Sequence, residues 1–155
     1  DHMKIYIGAD HAGFELKEKI KVWLEEQNIE YEDCGNLKFD KDDDYPDFAI
    51  AVSHKVVQNN SKGILLCGSA EGVCITANKI NGIFAADPSG IIQTRFAREH
   101  GDINILCLAG GQSLEKQPSI PFETATEMIT TFLETPFSGE ERHVRRLNKI
   151  RKLEK

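Results

Sequence analysis

Hydrophobic and polar positions along this chain alternate between a two-residue and a helical period, and the switches come in a regular order. Lys4-Ile-Tyr-Ile-Gly-Ala9 alternates and is rich in β-formers, which predicts a first strand. Phe14, Leu16, Ile20, Val22, Trp23 and Leu24 then mark a helix running to about Gln27. Ile29 to Asp33 reads as a short second strand, and the acidic stretch Asn36 to Asp44 reads most simply as a solvated loop. Tyr45-Pro46-Asp47 opens a second helix, with proline in the first turn where its missing N–H costs little. Phe48, Ile50, Ala51, Val52, Val56 and Val57 supply that helix's apolar face. Gly63-Ile-Leu-Leu is a short apolar run ending at Cys67, the pattern of a strand buried on both faces. Small residues lead from it into a helix over Val73 to Lys79. Ile83 to Ala86 predicts a fourth strand, about Gly90 to Glu99 a helix, and Asp102 to Leu108 a fifth strand. Helices are predicted at about Pro121–Leu133 and Gly139–Leu153.

Strands alternating with helices predict an α/β layer sandwich, a five-stranded parallel sheet covered on both sides, with its site at the C-terminal ends of the strands. At 155 residues the chain is one domain, expected over residues 3–155, with Asp1-His2 before Met3 read as an expression scar. A chain of this length buries roughly 68–70% of its unfolded surface and needs no staples. The four cysteines show neither a CxxC pair nor zinc-like spacing, so a reduced, cytoplasmic setting is expected. The net charge of −6 argues against general affinity for nucleic acid or an anionic membrane, and no apolar run approaches the length of a membrane span.

The stretch Gly63 to Lys79 carries the most chemistry. A strand, a tight turn through Gly68, Ser69, Ala70 and Gly72, and a helix start aim backbone N–H groups at one spot suited to an anion. Cys67 sits at its lip, where those donors and the helix dipole are expected to favour the thiolate and make it the most readily alkylated thiol. The alternative is an inert, buried cysteine. A Walker loop is excluded because Ala70-Glu71 stands where Lys-Ser/Thr is required, and Gly8 to Gly13 lacks the dinucleotide spacing.

In the last helix Ser138-x-x-Glu141 predicts a capping box. Val144, Leu147, Ile150 and Leu153 form a narrow stripe suited to packing on a neighbouring subunit. Arg142 and Arg146 share one face. Two readings stay open for them: ion pairs with Glu140 and Glu141, or a phosphate held between two guanidinium groups.

Seven segments, in order, resemble type B ribose-5-phosphate isomerases, a family that also includes galactose- and allose-6-phosphate isomerases. They are Gly8-Ala-Asp-His-Ala-Gly-Phe-Glu-Leu-Lys, Asp44-Tyr-Pro-Asp, Cys67-Gly-Ser-x-x-Gly, Ala77-Asn-Lys, Arg98-Glu-His100, Asn104-Ile-Leu-Cys-Leu and Arg142-His-x-x-Arg146. The resemblance implies a Rossmann-like fold and aldose–ketose isomerisation of a sugar phosphate without metal or cofactor. It also implies a homodimer, or dimer of dimers, in which each site borrows residues from the partner. Cys67 then matches the base that moves a proton between C1 and C2. Gly68, Ser69, Ala70, Glu71 and Gly72 match the loop holding the enediolate oxygen. Asp10 and His11 match a substrate-contacting pair, His100 the ring-opening residue, and Arg142 and Arg146 the phosphate ligands.

The chain departs from the pattern at Gly101, where asparagine is usual, and at Gly111 (or Gln112), where an arginine is usual. Ala70 replaces a glycine and Cys74 a serine. These changes lead to the expectation of a remodelled phosphate pocket. The alternatives are a 6-phosphohexose or tetrose phosphate substrate, or a catalytically weak sugar-phosphate-binding protein.

Overall fold

The computed structural model describes residues 3–111 and 119–155. Its elements are β1 (Ile5–Ala9), α1 (His11–Glu26), β2 (Tyr31–Asp33), α2 (Tyr45–Asn59), β3 (Gly63–Cys67), α3 (Glu71–Ala77), β4 (Ala85–Ala86), α4 (Ile91–Gly101), β5 (Ile105–Ala109), α5 (Phe122–Glu134) and α6 (Glu141–Arg151). Every strand pairing is parallel, and the order across the sheet is β2-β1-β3-β5-β4.

The two-residue period sorts the strand side chains into two cores. Ile7, Ala9, Ile64, Leu66, Leu106 and Leu108 meet Leu16, Ile20 and Leu24 of α1 and Met128, Ile129 and Phe132 of α5. Tyr6, Leu65, Cys67, Ile105 and Cys107 meet Ala49, Val52 and Val56 of α2 and Val73 and Ala77 of α3. This is the three-layer α/β/α sandwich with a five-stranded parallel sheet. β3 lies at its centre, buried along its whole length and paired on both edges.

The sheet edge is shorter than the hydrophobic pattern predicts. The Phe84 N–H goes to the Asn104 side chain rather than to a strand carbonyl, and Asn104 Nδ2 donates to Gly82 O. Residues before Ala85 and Ile105 therefore brace a loop instead of extending the ladder. The capping box at Ser138 does not form. Glu140 is extended at the N-cap, while Ser138 Oγ accepts from the Glu140 N–H and bonds His143 Nδ1 at 2.7 Å. In α6 only His143 and Leu147 are buried, leaving Val144 and Ile150, and Leu153 just beyond the helix, exposed.

From β1 the chain moves outward to β2, then returns past β1 to β3, so the connections diverge between β1 and β3. Helices leaving those two strand ends in opposite directions open a crevice there. Gly13 permits a close approach, since a Cβ on it would lie 2.6 Å from Leu66 Cβ and 2.8 Å from Leu66 O. The start of α1 is thereby pressed against the C-terminal end of β3.

Candidate active site

Two predicted site segments meet at this crevice. Asp10 follows β1 and caps α1, its Oδ1 accepting the Gly13 N–H at 3.1 Å. Cys67 ends β3, with the backbone N–H groups of Val73, Ala70 and Gly72 near enough to favour its charged form. The loop keeps Ser69 and Glu71 exposed while Ala70 is buried, and Gly68 O accepts from the Gly111 N–H at 3.0 Å. Ala70 adopts φ 73°, a left-handed conformation costing a Cβ-bearing residue about 1–2 kcal/mol, which is the physical reason a glycine suits this turn.

The electrostatics correct one expectation. Burial pushes the Cys67 thiol up, and the neighbouring Asp10 carboxylate adds to it; the N–H groups of Val73, Ala70 and Gly72 oppose but do not prevail. The donors are where the pattern put them, yet the resting group is the thiol. Burial also raises the Asp10 carboxyl, against the Gly13 N–H and His11, which lower it. His11 moves up as well, chiefly through its hydrogen bond to Asp43. Cys74 is lowered because the Cys107 thiol donates to it. Of the two it is Cys74 that moves down, not Cys67.

Asp43 and Tyr45 complete this half of the site, and the pattern gave neither a role. Asp43, from the acidic stretch read as solvated, is almost buried and accepts from both the backbone N–H and Nδ1 of His11. Tyr45 lays its ring on the loop, and a Cβ on Gly72 would come within 2.6 Å of it. The Asp44-Tyr-Pro-Asp segment was a usable signal for Tyr45; nothing in the periodicity marks Asp43 among its acidic neighbours. Asp10, His11 and Asp43 offer ligand atoms within 4.8 Å of one another. Those atoms already bond one another or Gly13, so the cluster is self-satisfied.

The other predicted residues lie elsewhere. His100 is in the last turn of α4, stacked on Phe96 at 5.3 Å and against His143 of α6 at 4.5 Å. The buried Arg98 fixes this corner through Thr135 O, Ile103 O and Asp102. Just beyond it, Asn104 O accepts from Gly63 N, the first residue of β3. His100, Gly101, Arg142 and Arg146 therefore gather at the N-terminal end of the sheet. Cys67 is at the other end of a five-residue strand, about 16 Å long. One chain does not bring them together. Arg142 pairs with Glu140 at 3.0 Å, and Glu141 pairs with Arg145 rather than Arg146. Burial, then Arg142 and His100, push His143 down.

Comparison with known proteins agrees with this geometry. The sequence model of the Ribose/Galactose Isomerase family matches residues 5–150. The chain belongs to that family. The probable ribose-5-phosphate isomerase B of Mycoplasma genitalium is 40% identical over 156 residues, covering 97% of this chain and 95% of that protein. The ribose-5-phosphate isomerase B structure from Thermotoga maritima superposes with a TM-score of 0.89 at 43% identity, over 98% of this chain and 99% of that one. The Mycoplasma genitalium enzyme, solved with bound ribulose 5-phosphate, gives a TM-score of 0.87 at 36% identity, over 97% and 95% of the two chains.

Two departures from the ribose/galactose isomerase pattern acquire a structural meaning. Gly101 ends α4 with room around it, since a Cβ there would meet Ile103 Cγ2 at an ordinary 3.8 Å. Gly111 instead has φ 76°, where any side chain would strain the backbone. It is a turn glycine whose N–H donates to Gly68 O. Gln112, the other candidate for that position, lies outside the described residues. Among the described residues no helix is long and apolar enough to cross a membrane.

Proposed function

We propose that this chain interconverts ribose 5-phosphate and ribulose 5-phosphate through a cis-enediolate, with Cys67 as the base and each site shared between two chains. The observation that carries the reading is Cys67 at the C-terminal end of β3, beside Asp10 and facing the N–H groups of Ala70, Gly72 and Val73. Those donors balance a thiolate against a developing oxyanion, the charge shift that enolisation requires.

His100 of a second chain opens the furanose, taking the proton from the C1 hydroxyl while the ring oxygen is protonated. The Cys67 thiolate then removes the proton from C2, and the carbonyl electrons move onto O1. The 68–72 loop, with the Ser69 hydroxyl, holds that oxygen, and Asp10 and His11 hold the sugar. The thiol returns its proton to C1 as a proton passes from O2 to O1, giving the ketose. Arg142 and Arg146 of the second chain neutralise the phosphate. A thiol raised by burial is a strong base once ionised, so turnover should climb as pH rises towards the Cys67 pKa.

The test is a panel of ribose 5-phosphate, erythrose 4-phosphate and the 6-phosphates of galactose and allose, with ketose formation followed by NMR. Ribulose 5-phosphate should form with the highest kcat/KM. A tenfold preference for another sugar would overturn the substrate, and no turnover with any would overturn the isomerase reading.

A further inference from the structure

The stretch from Asn36 to Asp44 has the composition of a solvated loop, yet one of its carboxylates is built into the site. The Asp43 side chain is only 5% exposed. Its Oδ1 accepts twice from His11, from the backbone N–H at 3.0 Å and from Nδ1 at 2.8 Å. Its Oδ2 accepts from Asn36 Nδ2 at 3.2 Å. Asn36 is itself anchored, donating its N–H to Ala9 O at 2.8 Å and accepting at its carbonyl from Lys17 Nζ at 2.7 Å. Lys17 is fully buried, and its ammonium also reaches Asp33 Oδ2 at 2.6 Å. A continuous set of hydrogen bonds thus runs from the core face of α1 to the imidazole at the rim of the crevice.

We propose that Asp43 is the positioning residue for His11, fixing the ring and its Nδ1 proton so that Nε2–H is presented to an oxyanion of the bound sugar phosphate. This rests on the reading of the crevice as a sugar-phosphate isomerase site. A carboxylate only accepts, so Nδ1 must carry a hydrogen, and Nε2 is the ring's remaining polar atom. With the ring neutral, Nε2 is an acceptor and repels an oxyanion; with the ring charged, it is a donor. The charged groups facing His11 are Asp43 and Asp40 from the loop and Asp10 from the cap of α1. All three favour the imidazolium, the Asp43 hydrogen bond most strongly, while partial burial opposes it. Cys67, from β3, stands behind Asp10. The edge of Phe39 covers a further side of the ring, with centroids 6.5 Å apart. A cation at the first residue of a helix is disfavoured by the helix dipole. Asp43 offsets that, and it also takes up the His11 N–H that the helix leaves unpaired.

The test has two arms, both using Asp43→Asn in the full-length protein. In the first, the His11 ring protons are titrated by NMR without substrate. The variant should titrate at lower pH than the wild type; an unchanged midpoint overturns the proposal. In the second, kcat and KM for ribose 5-phosphate are measured at pH 6 and at a pH between the two midpoints found in the first arm. At pH 6, below the ordinary histidine value, the defect should be the smaller of the two. At the second pH it should be at least about twofold larger, because the neutral ring has lost the Nε2–H of a charge-assisted hydrogen bond. A loss in KM assigns the oxyanion to the phosphate, and a loss in kcat assigns it to the enediolate. An equal defect at both pH values marks a merely structural contact and overturns the proposal. If Asp43→Asn does not fold, Asp43→Glu serves: it should keep the raised His11 midpoint and show a defect independent of pH, and a lowered midpoint would refute the charge argument. Wild-type protein that turns over no sugar phosphate would overturn the isomerase reading and leave the titration arm standing.

Discussion

Replacing Lys17 with methionine keeps the length of the side chain and most of its packing but removes the ammonium. That ammonium is fully buried, donates to Asp33 Oδ2 at 2.6 Å and Asn36 O at 2.7 Å, and lies 5.3 Å from the centroid of the Phe14 ring. Breaking a buried ion pair by removing one partner costs about 3–5 kcal/mol. Here Asp33 keeps Lys21 at 2.8 Å and the Gly35 N–H at 2.9 Å, which places the ion-pair loss at the lower end or beneath it. The orphaned Asn36 carbonyl adds about 1 kcal/mol, for a total near 3 kcal/mol. In a chain of this size that is a fall in Tm of about 6–12 °C. Burial alone would push the Asp33 carboxyl up, but Lys17 and Lys21 outweigh it and hold it below its ordinary value. In the variant Lys21 and the Gly35 N–H still favour the Asp33 carboxylate, and the loss includes its partly unpaired charge. Adding Asp33→Asn removes that charge, so the double variant should cost less than the sum of the two singles by about 1–3 kcal/mol. Thermal and urea unfolding at pH 7 supply all four stabilities. A Lys17→Met protein within about 0.5 kcal/mol of wild type, or strict additivity with Asp33→Asn, would refute the reasoning.

Three further outcomes are expected. Iodoacetamide at pH 7.5 should modify Cys74 ahead of Cys34 and Cys107, because Cys74 is lowered, burial pushes Cys34 up to about 11 and Cys107 is both buried and raised; mass spectrometry showing Cys34 or Cys107 modified first would contradict this. His11 is raised above its ordinary 6.5, so its contribution to stability is fully present below that pH and fades as pH rises through the folded value. The Tm gap between wild type and His11→Asn should therefore be widest near pH 6 and narrow towards pH 9; a constant gap would exclude a charge effect. Mixing Cys67→Ala chains with Arg142→Ala/Arg146→Ala chains should restore part of the turnover that both lack, and no recovery after exchange of chains would argue against a shared site.

The hydrophobic periods sufficed for the sandwich because each strand's alternation matched a helix on either side. Gly63 to Leu66 reads as a centrally buried strand, and it is one. Short elements were less legible. Ile83 and Phe84 look like strand residues, but the Asn104 side chain takes the Phe84 N–H, a long-range contact that no local pattern encodes. Cys67 and Asp10 could be placed because strand ends are marked by small residues and a capping aspartate. The state of the thiol could not, since it depends on burial and on the Asp10 charge brought in from another strand. Asp43 was hidden for a similar reason: among so many acidic neighbours only the fold selects the one that meets His11. The separation of His100 from Cys67 follows from the direction in which α4 runs, and this became visible once the strand order was known.

Proton exchange at the sugar carbon probes the proposed role of Cys67 without reference to which product accumulates. Wild-type protein and Cys67→Ala are incubated with ribose 5-phosphate in D2O, and loss of the C2 proton is followed by NMR beside a binding measurement for the same sugar. Wild type should exchange that proton, and Cys67→Ala should bind the sugar but exchange it at least about a hundredfold more slowly, the usual contribution of a general base. Exchange in Cys67→Ala at the wild-type rate would show that another group removes the proton.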